Sequence, residues 1–173
     1  MLTSVPLLTD GHVTAVRAVL HGAMALYLTR YLNVPPARIP GEDGEQQLDD
    51  LPADVEMIRV ALLDAFDRQR QVDLAARLVA RHLALGHSPQ ALIATLAHAV
   101  LREDAGFHSY QMLEAGGRQF NAWGNTDPGR HILVGVTRYL TAHSPTERAA
   151  LQTADIARRL MLGGELHQGL ATQ

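Results

Sequence analysis

The chain contains neither cysteine nor lysine among its 173 residues. Without cysteine it cannot form disulfides, thiolate nucleophiles, zinc knuckles or cysteine-ligated iron–sulfur clusters. Without lysine it lacks the side chain that forms a Schiff base and the one that binds phosphate in a P-loop. These two absences exclude several classes of redox protein and of lysine-dependent enzyme.

Aromatic residues are also scarce, at 5% of the chain, although hydrophobic residues make up 47%. Alanine and leucine supply much of that apolar content, and both enter a helix at less cost than β-branched residues do. The composition therefore predicts an all-α protein, a bundle of about six or seven helices. At this length we expect a single helical domain over residues 1–173.

No strong charge of either sign is present, since the net charge is −3 and the pI is near 6.3. We therefore expect no binding to nucleic acid or to an anionic membrane surface. The longest helical pattern, Val13 to Leu32, contains Arg17, His21 and Arg30, which is typical of a core helix and not of a membrane span. No basic segment precedes an apolar stretch near the N-terminus, so we expect a cytoplasmic protein without a signal peptide.

One segment, Pro35 to Pro52, is poor in core-forming side chains and contains four prolines, two glycines and five acidic residues. This composition predicts a surface loop at about residues 34–52. We expect the loop to lie within one domain, because the preceding helix cannot bury its own apolar face alone.

Local signals indicate where several helices begin and end. Ser88-Pro89 is typical of a helix start, and Gly86 before it of a helix end. The run Ser144 to Glu147 predicts a capping box that begins the last helix. Asn125 to Gly129 predicts a turn, and Gly116-Gly117 predicts a close backbone contact.

The segment from His98 to Glu114 concentrates the residues that could carry chemistry. On one continuous helix, Asp104 and His108 are four residues apart and share a face with Gln111. His98 borders the same groove, and Arg102 lies one turn from it. Gly106 leaves open a second reading, in which a separate helix runs from about Phe107 to Trp123.

A carboxylate next to an imidazole can fix its tautomer and raise its basicity, which suits a base or a metal ligand. We therefore predict His98 and His108 as ligand or base, Asp104 as the group that orients the imidazole, and Glu103 as a further ligand or acid. The other members of the predicted site are two metal ligands from neighbouring helices, His21 and His82, and two cofactor-binding residues, Arg102 and Gln111. The alternative is structural: the histidines are satisfied polar groups of the core, and the Asp–His pair is an ordinary surface ion pair.

The sixteen residues from Leu96 to Gln111, LAHAVLREDAGFHSYQ, resemble a segment of bacterial helical domains that accompany Rieske-type ferredoxin domains. They are loosely similar also to questin-oxidase-like helical proteins. The resemblance implies a helical, oxidoreductase-associated domain in which His98, Glu103, Asp104 and His108 line the site. Because a Rieske cluster needs two cysteines, any such ferredoxin would be a separate partner protein.

Three functions follow as hypotheses. The first is a metal-dependent oxidoreductase domain that binds iron or another divalent metal and oxidises a small organic molecule. The second is a non-catalytic interaction module, for example a homodimer formed through an apolar helix face. The third is a metal-free domain that binds a small-molecule ligand in a pocket between helices.

Overall fold

The computed structural model of the chain describes residues 10–29, 39–41 and 48–162. Within these ranges it contains seven helices and no strand, which confirms the predicted all-α class. None of the described helices is both long enough and apolar enough to cross a membrane. The helices are α1 (Asp10–Thr29), α2 (Val55–Phe66), α3 (Val72–Ala84), α4 (Pro89–Leu101), α5 (Phe107–Trp123), α6 (Asp127–Ala142) and α7 (Ala149–Met161).

The chain divides into two compact units, Met1–Arg38 and Ile39–Gln173. The first contains α1, whose predicted end near Leu32 lies outside the described residues. The second contains α2 to α7. Most of the predicted loop at 34–52 also lies outside the described residues, and organisation as one domain stays a prediction.

The apolar core of the second unit is built by α2 to α6. Helix α3 packs against α2 and α6, and α6 packs in turn against α5. Burial of each large apolar side chain contributes roughly 1.5–3 kcal/mol to stability. The largest fully buried apolar side chains are Phe66, Ile58, Leu62, Leu78, Leu83, Leu92, Leu96, Leu133, Leu140 and Val79.

Several local signals are confirmed. Helix α4 begins at Pro89 after Ser88, whose Oγ accepts a hydrogen bond from the Ala91 amide at 3.3 Å. Gly86, after the end of α3, has a φ of +74°, which glycine adopts at little cost. The predicted turn at 125–129 is shorter than expected, because Thr126 caps α6 and the helix begins at Asp127.

The predicted close contact at Gly116 is confirmed between α5 and α6. A Cβ atom at this position would lie 2.2 Å from Cγ2 of Val136, which is too close for any side chain. Gly116 therefore allows the two helices to approach each other. Gly117 has ordinary room, since a Cβ atom there would lie 3.9 Å from Cγ2 of Ile93.

Of the two interpretations of the segment from His98 to Trp123, the separate helix is confirmed, because α5 runs from Phe107 to Trp123. The continuous helix over residues 98–114 is wrong, since α4 ends at Leu101. A further prediction, the start of the last helix, is also wrong. The last helix does not begin at Ser144-Pro145 but at Ala149, after Arg148 in a left-handed conformation with φ of +55°. Glu103 and Asp104, which lie between α4 and α5, accept hydrogen bonds from residues of the segment 146–150.

Candidate functional site

A pocket of about 340 Å³ lies where α4 turns into α5 beside the end of α6. We call it the corner pocket. Its volume is at the lower end of the range for small-molecule sites, roughly 300–1,000 Å³. It is lined by Val100, Glu103, Asp104, Ala105, Gly106, His108, Ser109, Tyr139, Leu140, His143, Ser144 and Thr146.

Glu103, predicted as a metal ligand or acid, is buried and fully engaged with the chain after α6. Its Oε2 accepts hydrogen bonds from the amide and the hydroxyl of Thr146, at 2.7 and 2.8 Å. Its Oε1 accepts two more from the guanidinium of Arg148, at 2.6 and 3.0 Å. Burial acts to raise the pKa of Glu103, but these hydrogen bonds together outweigh burial, so the pKa lies below its ordinary value.

Asp104, predicted to orient an imidazole, instead caps a helix. Its two carboxylate oxygens accept hydrogen bonds from the amides of Ala149 and Ala150, at 2.7 and 2.9 Å. Its own amide donates to the hydroxyl of Thr146 at 2.9 Å. A carboxylate at a helix N-terminus is favourable both for hydrogen bonding and for the helix dipole. Asp104 thus caps the N-terminus of α7, a role that the sequence predicts for a capping box at 144–147.

Arg102, predicted to bind a cofactor, is half-buried in an ion-pair network. Its Nη2 donates to Asp67 at 2.5 Å, and Arg148 donates to the same carboxylate oxygen. Through Asp67, the network joins the end of α2 to the α4–α5 corner and to the segment before α7. The position of Arg102 in this network indicates a structural role.

The predicted histidines lie in different places. His108 is exposed at the start of α5 and lines the corner pocket, whereas His98 is exposed on α4 and is not a lining residue. Gln111 is exposed on α5 and does not line the pocket either. His21, expected to point inward, is exposed on α1 in the first unit. The continuous face predicted for these residues is therefore not present among α4 and α5.

His82 is buried on α3, 4% exposed, away from the corner pocket. Its Nε2 lies 2.9 Å from the Ser88 carbonyl oxygen, which can only accept, so Nε2 carries the hydrogen. Burial lowers the pKa of His82 below its ordinary value, against the opposing effect of the Ser88 carbonyl. With Nε2 protonated and bonded, this arrangement is typical of a satisfied core histidine.

Within the described ranges, no group of three or more histidine and acidic residues is placed to hold a metal ion. The oxygens of Glu103 and Asp104 already accept hydrogen bonds from the chain around Thr146 to Ala150. A metal would have to compete with those bonds for the same lone pairs. The metal roles of His21, His82, His98 and His108 stay predictions that no described arrangement supports.

Sequence reasoning missed Tyr139 and His143, which form a wall of the corner pocket. Their rings lie 4.3 Å apart between centroids, and Nδ1 of His143 lies 2.8 Å from the Tyr139 carbonyl oxygen. Because a carbonyl can only accept, Nδ1 carries the hydrogen, and in the neutral ring Nε2 has a lone pair to offer. The four-residue spacing of the two rings at the end of α6 is the signal in the sequence that could have found them.

Comparison with known proteins gives no family for this chain: no family model matches it, and neither a curated protein nor a solved structure was found to be similar. The resemblance of residues 96–111 to Rieske-associated and questin-oxidase-like domains consequently stays a prediction. The geometry of the corner pocket is therefore the basis on which a function can be inferred.

Proposed function

We propose that this chain is a helical domain that binds a small hydroxylated organic molecule, without a metal, in the corner pocket. The observation that carries the proposal is His143, a lining residue whose tautomer is fixed by the Tyr139 carbonyl at 2.8 Å. This is the third of the hypotheses drawn from the sequence. The first hypothesis, metal-dependent oxidation, is not preferred, because among the described residues no group is placed to bind a metal ion.

The lining of the pocket suits a ligand that is mainly apolar with one polar group. Val100, Ala105 and Leu140 supply apolar surface, and the rings of Tyr139 and His143, tilted by 32° to each other, supply an aromatic wall. Ligand pockets of this kind combine an apolar lining with a few polar groups that fix orientation. The two carboxylates in the lining, Glu103 and Asp104, are already paired and add little to ligand recognition.

In its neutral form, the ring of His143 offers a ligand one hydrogen-bond acceptor. With Nδ1 donating to the Tyr139 carbonyl, Nε2 can only accept, and a hydroxyl group is the simplest partner. His108 and Ser109, at the start of α5, also line the pocket and carry further polar groups. Phenol, a flat ring with one hydroxyl, is the minimal probe of this chemistry.

The test compares phenol with anisole, which has the same ring but a methyl ether in place of the hydroxyl. We expect the wild-type protein, titrated at about pH 8 where imidazole is neutral, to bind phenol more tightly by about 5- to 10-fold. In His143→Phe an aromatic ring is retained but the acceptor is lost, so this preference should disappear. Calorimetric or fluorescence titration measures both dissociation constants.

His98→Phe is the matched control, because it makes the same change on an exposed histidine outside the pocket lining. It should keep the preference for phenol. Absence of phenol binding up to about 10 mM, or an unchanged preference in His143→Phe, would refute the proposal.

Self-association is a second candidate function, favoured by the surface of α7. This helix has no buried residue, and Ile156 and Leu160, four residues apart on one face, are each about half exposed, at 46% and 51%. Exposed apolar patches of this kind mark interaction sites. Sedimentation velocity of the wild type and of Leu160→Gln tests it: a dimer that the substitution weakens is expected, and a wild-type monomer at high micromolar concentration would contradict it.

A further inference from the structure

Helix α7 is attached to the second unit in an unusual way, because apolar packing does not fix it. No residue of Ala149–Met161 is buried, and Met161 is 88% exposed. An isolated helix of 13 residues is only marginally stable in water. The attachment and the helical state of α7 therefore depend on what holds its N-terminus.

The N-terminus of α7 is held by four residues, Glu103, Asp104, Thr146 and Arg148, which we call the carboxylate latch. Glu103 accepts hydrogen bonds from Thr146 and Arg148, and Asp104 accepts them from the first two amides of α7. Arg148 is kept in a left-handed conformation, which is unfavourable for a residue with a side chain and persists only where its surroundings impose it. The latch thus joins the α4–α5 corner to α7, which is distant in sequence.

The carboxylate latch and the corner pocket share residues. Glu103, Asp104 and Thr146 belong to the latch and line the pocket, and Ser144 lines it two residues before Thr146. If the latch opens, the segment 144–148 is no longer fixed and this part of the lining moves away. A ligand that binds only the closed form must therefore favour the closed latch.

We propose that Glu103 and Asp104 are positioning residues that couple the corner pocket to α7, so that ligand binding and docking of α7 stabilise each other. The proposal rests on the proposed function for its ligand, but the latch itself does not. Reciprocity requires that if the latch strengthens ligand binding by some factor, the ligand strengthens the latch by the same factor.

The first experiment needs no ligand: hydrogen–deuterium exchange of the full chain, read by mass spectrometry on amides 153–160, beyond those bonded to Asp104. Asp104→Asn and Glu103→Gln should raise exchange there by about tenfold or more, because a released α7 unfolds readily. Amides of α3 should be unchanged, and circular dichroism should show that both variants keep the helical fold. Glu56→Gln is the matched control, since Glu56 forms an exposed ion pair with Arg59 in the first turn of α2.

If Glu103→Gln fails to fold because Glu103 is buried, Asp104→Asn still tests the latch, because the Asp104 side chain is exposed. A folded Asp104→Asn protein with wild-type exchange in α7 would overturn the latch. The second experiment adds phenol: it should slow exchange in α7 of the wild type, and phenol should bind Asp104→Asn several-fold more weakly.

The two proposals fail in distinguishable ways. Phenol that binds the wild type and Asp104→Asn equally, with no effect on α7 exchange, would overturn the coupling and leave the proposed function intact. Phenol that does not bind the wild type would overturn the proposed function and the coupling together, while faster α7 exchange in Asp104→Asn would still establish the latch.

Discussion

Helices α2 to α6 and helix α7 belong to the same compact unit but are held in it by different forces. The first five contribute buried apolar side chains such as Leu78 and Leu96, both fully inaccessible to solvent. Helix α7 contributes none and is joined through hydrogen bonds and ion pairs to Glu103 and Asp104. Apolar packing is lost only on global unfolding, whereas a polar attachment can open locally. The corner pocket lies at the boundary between these two kinds of structure.

The largest expected difference between the two regions comes from removing one leucine side chain from each. Leu78→Ala should lower the free energy of unfolding by about 3 kcal/mol, because it deletes a fully buried side chain and leaves a cavity. Leu160→Ala, the same change on α7, should alter it by about 0.5 kcal/mol or less. Urea denaturation followed by circular dichroism measures both. Equal losses would mean that α7 is packed as firmly as the core.

A smaller effect is expected from adding one methyl group at the contact between α5 and α6. Gly116→Ala should destabilise the protein by about 1–3 kcal/mol, because its Cβ would meet Val136 at 2.2 Å. Gly135→Ala, in α6 with nothing within 4 Å of its Cβ position, should instead stabilise by about 0.5–1 kcal/mol. Val136→Ala should rescue much of the loss in the double variant, and failure to rescue would mean that the contact does not limit the approach of the helices.

The smallest effect concerns acidification. The pKa of His82 is lowered in the folded state, mainly by burial, so the unfolded chain takes up the proton first as the pH falls below the ordinary value of 6.5. The free energy of unfolding should therefore be highest above that pH and decline below it. His82→Gln should reduce this decline, while His98→Gln, a change on an exposed residue, should leave it as in the wild type. Urea denaturation between about pH 8 and pH 5.5 compares the slopes, and equal slopes in wild type and His82→Gln would contradict the assignment.

Glu103 adds a second pH dependence at lower pH, in the polar region. Its pKa is lowered in the folded state, so the stability it contributes is present above its ordinary value of 4.5 and is lost as the pH falls through the lowered pKa. The core and the carboxylate latch should thus respond to acid over different ranges, His82 first and Glu103 later.

The apolar region is much easier to predict from the sequence than the polar one, for a physical reason. Caps such as Ser88 and Gly86 act over a few residues, so the sequence indicates where α4 begins and where α3 ends. The close contact at Gly116 is predictable because paired glycines inside a helical pattern have few other uses.

The polar region could not be predicted because its contacts join distant parts of the sequence. Glu103 and Asp104 bond to residues 42 to 46 positions later. The break after α4 and the start of α7 lie at these long-range contacts, which no short sequence pattern indicates. For the same reason the sequence pairs Asp104 with His108, whereas in the folded chain Asp104 caps α7. From sequence alone, the four-residue spacing of Tyr139 and His143 indicates that their rings are close, but not that they line a pocket.

Binding of a hydroxylated ligand through His143 can be observed in an NMR titration of the ¹⁵N-labelled chain with phenol. We expect the amide signals of Gly106 to Ser109, of Tyr139 to Ser144 and of Thr146 to shift together and saturate, and anisole to produce the same pattern only at higher concentration. Shifts confined to other parts of the chain, or none at all, would mean that the corner pocket is not the binding site.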